Sequence, residues 1–126
     1  MAEFELTVTP LENCQLVRVG GDLAGDTTPW LERELDQLAA WLPVVIDLSR
    51  VKSLTSTGVQ TLLTERAFGL PALFCRPGTS VARVLEIVQA HRLVPIYSDL
   101  AVAIRSHQTN TPGASEGRDL NDATRS

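Results

Sequence analysis

The chain has 126 residues, which is enough for one domain with a hydrophobic core but not for two. Its formal net charge is −4 and its 11 basic residues form no run, so the sequence offers no electrostatic footprint for nucleic acid or an anionic membrane. No apolar stretch approaches the roughly 20 residues that cross a bilayer, and the first residues do not resemble a signal peptide, which predicts a cytosolic protein.

The first third of the chain predicts a hairpin followed by a helix. Residues 4–8 alternate apolar and polar side chains, as in a half-exposed strand. A second strand is expected at residues 16–19, ended by the glycines that follow it. A helix should then begin at Pro29, with Thr28 as its cap, and run to about Trp41.

The middle of the chain predicts a strand, a polar loop and a second helix. Residues 44–48 are apolar except for Asp47, which alternation places on the face opposite its two neighbours. One face of the sheet is therefore mixed, and we expect the helices mainly on the other face. A loop at residues 49–57 should lead into a helix over residues 59–68, which Gly69 ends.

The last third predicts two more strands and two more helices. A strand at residues 70–75 precedes a helix capped by Thr79 or Ser80, with Val88 on its apolar face. Residues 93–97 predict a short last strand. Its proline cannot donate a hydrogen bond to a neighbouring strand, so we expect this strand at an edge of the sheet. A final helix follows a Ser-Asp cap at residues 98–99.

The order ββαβαβαβα predicts an α/β fold with a mostly parallel five-stranded sheet, an antiparallel N-terminal strand and four helices. Residues 1–106 form this domain. Residues 107–126 lose all aromatic and most aliphatic side chains, which is typical of a disordered tail.

The sequence contains little material for catalysis. His91 and His107 match no catalytic-triad pattern. The sequence also contains neither of the two glycine-rich phosphate-binding motifs, GxxxxGK(S/T) and GxGxxG. Cys14 and Cys75 belong to no metal-ligand spacing, and the predicted topology separates them too far for a disulfide. We therefore predict no catalytic residue, no metal and no cofactor, and expect both cysteines to be ordinary buried residues.

Three hydroxyls stand in a row at the junction of the third strand and the second helix. One interpretation is structural: Ser56 or Thr57 caps the helix, since Thr57 and Gln60 have the capping-box spacing. The other is functional. A phosphate on Ser56 would lie at a helix N-terminus, where free N–H groups and the dipole stabilise an anion, and would add about −1.5 to −2 charges.

Four segments of the chain form a pattern when they are taken together: Gly-Asp-Leu at residues 21–23, then residues 44–49, 54–59 and 76–86. The last three resemble the signature blocks of the STAS domain, the fold of bacterial anti-sigma factor antagonists, and the first is similar to the family's Gly-Glu-Leu turn. The resemblance covers about residues 3–106 and implies a βα superhelix.

This resemblance also implies a partner and a switch. Members bind a serine-kinase anti-sigma factor, are phosphorylated by it, and are dephosphorylated by a PP2C-type phosphatase. Ser56 matches the phosphoacceptor, Thr57 the second hydroxyl and Gly58 the glycine of the family motif. Thr55 and Ala24 stand where typical members carry acids.

The partner-binding surface implied by the resemblance joins the turn after the second strand to the loop before the second helix. Its predicted members are Asp22, Ala24, Asp26, Lys52, Thr55, Ser56, Thr57 and Gly58. A second hypothesis is a non-phosphorylated STAS accessory subunit, for example of a lipid-transport ATPase complex, in which Ser56 only caps a helix. A third is a nucleotide-binding domain.

Overall fold

The computed structural model describes residues 4–108, in which five strands and four α-helices follow one another in the expected order. The strands are β1 (Phe4–Pro10), β2 (Gln15–Leu23), β3 (Val44–Leu54), β4 (Ala72–Phe74) and β5 (Ile96–Tyr97). The helices are α1 (Thr28–Asp36), α2 (Ser56–Leu63), α3 (Ser80–Ile87) and α4 (Leu100–Gln108), with a short 3₁₀ helix at Ala90–Arg92 after α3.

The strands form one sheet in the order β1-β2-β3-β4-β5. β1 is antiparallel to β2, and every other neighbouring pair is parallel. The predicted fold class is thus confirmed, as is the edge position of β5.

The two faces of the sheet are covered unequally, as the mixed pattern of β3 predicts. The main core packs side chains of α1, α2 and α3 against one face, with Leu35, Ile46 and Leu85 among its fully buried members. A smaller cluster lies on the other face, where Ala103 of α4 packs against Leu16 and neighbouring residues. Most of the apolar area that stabilises the fold is therefore buried beneath the first three helices.

The smaller cluster's face also carries the charged residues of the central strands. Asp47 is buried and lies 3.6 Å from the guanidinium Nε of Arg18, whose side chain is half exposed. The carboxylate of Asp47 also accepts a hydrogen bond from the Ser49 amide at 2.8 Å. These partners compensate the burial of Asp47 on a face that one helix covers only in part.

β2 and β3 both extend further than the sequence pattern indicates. The expectation that glycines end β2 is wrong, because the strand continues through Gly20 and Gly21 to Leu23, with register shifts against β3 on either side of the glycine pair. Gly21 has φ 92°, an angle that glycine adopts without strain. The same pairing carries β3 to Leu54, so most of the expected loop at residues 49–57 is strand.

α1 ends at Asp36, five residues earlier than about Trp41, and the buried side chain of Gln15 supplies the reason. Its amide nitrogen donates to the carbonyls of Ala39 and Leu42, at 2.9 and 3.3 Å, and its oxygen accepts from the Ala39 amide. These bonds take the backbone groups that a longer helix would pair internally.

α2 is also shorter than expected, ending at Leu63 rather than at residue 68. The guanidinium of Arg66 donates to the carbonyl of Thr61 at 3.0 Å and to the carboxylate of Asp36 at 2.6 Å. A side chain that satisfies a carbonyl of the last turn favours termination there.

The predicted caps are correct for α3 and α4 and wrong for α1. Thr79 accepts from the Ala82 amide at the start of α3, and Asp99 accepts from the amides of Ala101 and Val102 at the start of α4. Thr28 is not the cap of α1 but its first residue.

The two cysteines are free and buried, as expected. They lie in different clusters, Cys75 in the main core and Cys14 in the smaller one, so the sheet separates them. Burial raises the pKa of both thiols. Over the part of the chain described, no helix has the length and apolar character needed to cross a membrane.

Candidate functional site

The candidate site forms where β2 and β3 end side by side. Asp22 pairs with Ser53 and Leu23 with Leu54 in the parallel ladder, so the turn after β2 and the start of α2 emerge at the same edge. This juxtaposition brings together the two segments that the sequence analysis assigned to the partner surface.

The carbonyl oxygen of Leu23 holds these two segments together. It accepts a hydrogen bond from the Thr55 amide at 3.0 Å and another from the Thr55 hydroxyl at 3.1 Å. Gly58 packs against the same oxygen, since a Cβ atom on it would lie 2.8 Å from this oxygen and 3.0 Å from Leu54 Cδ1. Only glycine fits this close approach without displacing the backbone.

Thr55 is the N-cap of α2. Its backbone is extended, with φ −98° and ψ 170°, and its hydroxyl accepts from the Gly58 amide at 3.3 Å. The expectation that Ser56 or Thr57 caps this helix is therefore wrong. Both are already helical residues, because the two bonds to Leu23 fix Thr55 in the extended conformation that a cap requires.

Ser56 is consequently left unused by the fold. It is the first residue of α2, its side chain is exposed, and no hydrogen bond to its hydroxyl is present among the described residues. The hydroxyl of Thr57 is likewise exposed and without a partner in that part of the chain. The amides of these two residues have no intrahelical acceptor, so they point toward any anion placed at the helix end.

The turn after β2 is braced by hydroxyls that the sequence analysis missed. The carboxylate of Asp22 accepts from the Ser53 hydroxyl at 2.7 Å. The hydroxyl of Thr27 donates to the Asp22 carbonyl at 2.6 Å and accepts from the Ala24 amide at 3.0 Å. Ser53 became recognisable only through the register of β2 and β3, whereas a Thr three residues after Ala24 is a turn signal that was available.

The remaining predicted site residues lie around this turn. Asp26 is exposed and Ala24 is half-buried. Lys52 is exposed near the end of β3, and its carbonyl accepts a long hydrogen bond of 3.4 Å from Ser80 at the start of α3. The N-terminus of α3 thus borders the same edge.

An apolar groove begins at Ser56 and runs along α2. The α2 groove has a volume of about 540 Å³ and is bordered on its far side by residues from the end of α3 and the segment after it. Among the described residues, none of the side chains that line it is charged; they are Ser56, Val59, Gln60, Leu63, Thr64, Val88 and Leu93.

Two of these groove residues were misassigned by the sequence pattern. Val88 was expected in the core and Leu93 in a strand, yet they are 42% and 61% exposed. Gln89 explains the difference: its φ of 58° ends the helical geometry after Val88 and leads into the 3₁₀ helix. The strand pattern at residues 93–97 is then realised only at Ile96–Tyr97.

The STAS domain model matches residues 5–103. The chain belongs to the STAS domain family. Residues 4–106 contain no group of three His, Cys, Asp or Glu side chains that could hold a metal ion.

Two solved structures share this STAS fold. A crystal structure of an anti-sigma factor antagonist from Mycobacterium paratuberculosis is similar at a TM-score of 0.75 and 24% identity, over 84% of this chain and 95% of that one. The anti-sigma factor antagonist SpoIIAA in its unphosphorylated form is similar at 0.61 and 14%, over 84% and 97%. A comparison with curated proteins gave no match.

Proposed function

We propose that this STAS domain is a cytoplasmic anti-sigma factor antagonist that binds a serine-kinase anti-sigma factor and is switched by phosphorylation of Ser56. The observation that carries the proposal is the position of Ser56. Its hydroxyl is exposed, has no hydrogen-bond partner among residues 4–106, and lies on the rim of an apolar groove whose described lining is uncharged. The likeness in fold to two anti-sigma factor antagonists supports the same assignment.

The α2 groove is the part of the surface best suited to supply binding free energy. Val88 and Leu93 expose large apolar areas there, next to Val59 and Leu63 of α2. Since the described lining carries no charge, an apolar segment of the kinase could bind there without burying an unpaired charge. Covering it would remove apolar surface from water, which is the main favourable term in such association.

A phosphate on Ser56 would oppose that binding. It would place about −1.5 to −2 charges on the rim of a surface that the partner must dehydrate. In the free protein the same phosphate would remain hydrated and would face the open amides at the start of α2. Phosphorylation therefore penalises the complex more than the free STAS domain, and removal of the phosphate by a PP2C-type phosphatase restores binding.

The turn formed by residues 22–27 would be the second contact surface. Its backbone is fixed by the Asp22–Ser53 and Thr27 hydrogen bonds, so the partner meets a preorganised surface. Asp22, Ala24, Asp26 and Lys52 belong to this surface in the proposal, and it adjoins the start of α2 through the Leu23 carbonyl.

The replacement of an acid by Thr55 is compatible with this function. Thr55 is the N-cap of α2, and both Asp and Thr perform that role through a side-chain oxygen. The threonine hydroxyl also donates to the Leu23 carbonyl, which an ionised carboxylate could not do. The change removes a negative charge beside Ser56 but retains the geometry that presents the serine.

Incubation with candidate kinase anti-sigma factors and ATP, followed by intact-mass analysis, tests the proposal. We expect one phosphate to be added, and Ser56→Ala to abolish the addition. Thr57→Ala is the matched control, since its hydroxyl is also exposed and one residue away, and it should still accept the phosphate. A partner that binds but never transfers phosphate would contradict the switch and favour a non-phosphorylated accessory subunit, for example of a lipid-transport ATPase complex.

A further inference from the structure

A second concave region opens beside the edge strand β5. This edge pocket has a volume of about 280 Å³ and shares no lining residue with the α2 groove. Its floor contains Cys75, Leu85 and Ile96, of which the first two are buried members of the main core. The core therefore reaches the surface here, because β5 has only two residues and is the last strand of the sheet in the described part of the chain.

The rim of the edge pocket carries polar side chains that the fold does not use. Glu86 and His91 line it, and within the described residues neither side chain has a hydrogen bond or ion pair. Tyr97 also borders the pocket, but its side chain packs against the smaller cluster. An apolar floor with a few convergent polar groups at its rim is the usual composition of a small-molecule site.

The lining also indicates the charge and size of a ligand. Of the lining residues that the structure describes, Glu86 carries the formal charge at neutral pH, so a cation is favoured over an anion. Burial raises the pKa of the Cys75 thiol, which keeps the floor neutral. An apolar cavity of about 150 Å³ holds benzene, so this larger, open pocket has room for one ring with a short substituent.

We propose that the edge pocket binds a small aromatic monoamine. The ring would lie on the floor formed by Cys75, Leu85 and Ile96, and the ammonium group would meet the Glu86 carboxylate at the rim. This site is independent of the proposed anti-sigma factor function, since it uses neither Ser56 nor the α2 groove.

Protein-observed NMR with 2-phenylethylamine tests this proposal on the full chain, with 3-phenylpropionate as an anion of similar size. We expect the amine to cause saturable shifts at the amides of Leu85, Glu86 and Ile96. Its affinity should exceed that of the anion by about tenfold, because the two ligands meet the same carboxylate with opposite charges. Absence of saturable shifts, or equal affinities for the two ligands, would overturn the proposal.

Two substitutions that each remove one negative charge test whether Glu86 causes the preference for the amine. Glu86→Gln should reduce the preference for the amine to about onefold. Glu65→Gln, which alters an exposed acid outside the pocket, should leave that preference unchanged. Equal losses in both variants would mean that net charge, not the pocket, selects the amine.

Filling the pocket provides a separate test. Ala82 is half-buried in the wall, and Ala82→Leu should reduce the amine's affinity at least about fivefold by occupying the space of the ring. Thermal melting establishes whether this variant is folded; if it is not, the two glutamate variants still decide the outcome. Undiminished binding by folded Ala82→Leu would place the amine elsewhere.

Discussion

The carbonyl oxygen of Leu23 joins β2 to α2 by accepting two hydrogen bonds from Thr55, one from its amide and one from its hydroxyl. The same hydroxyl accepts from the Gly58 amide, so one side chain both positions the turn and caps the helix. Ser56, the next residue, is thereby presented at the start of α2 without taking part in the bracing. Thr55 therefore stabilises the site, while the adjacent Ser56 leaves its hydroxyl available for modification.

Thr55→Val tests this bracing role, because valine keeps the shape of threonine and removes only the hydroxyl. We expect the free energy of unfolding to fall by about 1–2 kcal/mol, the usual effect of losing an N-cap side chain. Urea denaturation gives the value. The matched control is Thr57→Val, whose hydroxyl is exposed and has no partner among the described residues; it should change stability by less than about 0.5 kcal/mol. Equal effects would mean that the Thr55 hydroxyl braces nothing.

Gly58→Ala should destabilise the STAS domain through a steric conflict. The added Cβ would lie 2.8 Å from the Leu23 carbonyl oxygen, so the backbone of α2 or of β2 must move, at a cost of about 1–3 kcal/mol. Gly25→Ala is the control in the adjoining turn, since nothing lies within 4 Å of its Cβ position. We expect that control to be neutral or to gain up to about 1 kcal/mol. A Gly58→Ala protein as stable as the Gly25→Ala protein would contradict the close approach.

Local patterns were sufficient for the order of elements but not for their ends. The α/β class, the antiparallel β1 and the edge position of β5 follow from alternation, proline and helical spacing in neighbouring residues. The end of α1 depends on Gln15, which is more than 20 residues away in sequence. Tertiary hydrogen bonds of this kind are invisible to local propensity.

The candidate site shows the same division. Ser56 was identified from its place between a strand and a helix, and the structure leaves its hydroxyl exposed at that junction. The identity of the cap was missed, because three consecutive hydroxyls offer three possible caps and the choice depends on the distant Leu23 carbonyl. The α2 groove was missed because Val88 and Leu93 have core-like patterns in sequence.

Replacing Ser56 with aspartate should shift stability and binding in opposite directions. A carboxylate at the first residue of α2 interacts favourably with the helix dipole, so the free protein should gain about 0.3–1 kcal/mol. Affinity for the proposed anti-sigma factor should fall about tenfold, because the charge borders a surface that the partner dehydrates. Ser56→Asn, which has the size without the charge, should bind much more tightly than Ser56→Asp.

Denaturation and titration calorimetry of the two Ser56 variants measure these changes. Because Ser56→Asp should raise stability while it lowers affinity, the loss of affinity could not be explained by unfolding of the variant. Equal affinities for the aspartate and asparagine variants would show that charge at this position does not control the complex.

Stability should decrease at alkaline pH through the buried thiols. Burial raises the folded-state pKa of Cys14 and Cys75, while the unfolded thiols titrate at about 8.5. Their stabilising contribution is therefore complete below that pH. Above it the unfolded chain releases protons that the folded chain retains, so the contribution is lost as pH rises toward the folded-state pKa, with a slope of up to about 1.4 kcal/mol per pH unit for each thiol.

Urea denaturation under reducing conditions between about pH 7.5 and 10 measures this slope. The double variant with Cys14→Ala and Cys75→Ala should be less stable at about pH 7.5, because each change removes a buried sulfur, but its stability should fall less steeply as pH rises. The difference between the two slopes isolates the thiols, since every other side chain is common to both proteins. Parallel curves would contradict a thiol contribution.

Leu93→Ser tests whether the α2 groove is the partner-binding surface. Leu93 is 61% exposed and lines the groove, whereas Ile87 is 70% exposed and does not. Both serine variants remove a large exposed apolar side chain, so each should change the free energy of unfolding by no more than about 0.5 kcal/mol. Only Leu93→Ser should weaken binding of the anti-sigma factor, by about tenfold, because truncating a contact at the centre of an interface commonly costs more than 1 kcal/mol.

Comparing these two variants distinguishes a specific interface at the α2 groove from non-specific hydrophobic association. Calorimetric titration of each with the same kinase gives the affinities, and denaturation confirms that both are folded. If Ile87→Ser weakens binding as much as Leu93→Ser, the partner covers the whole end of α3 rather than the groove beside Ser56. A charge on Ser56 would then act at a distance from most of the buried surface, and the proposed coupling between phosphorylation and release would lose its physical basis.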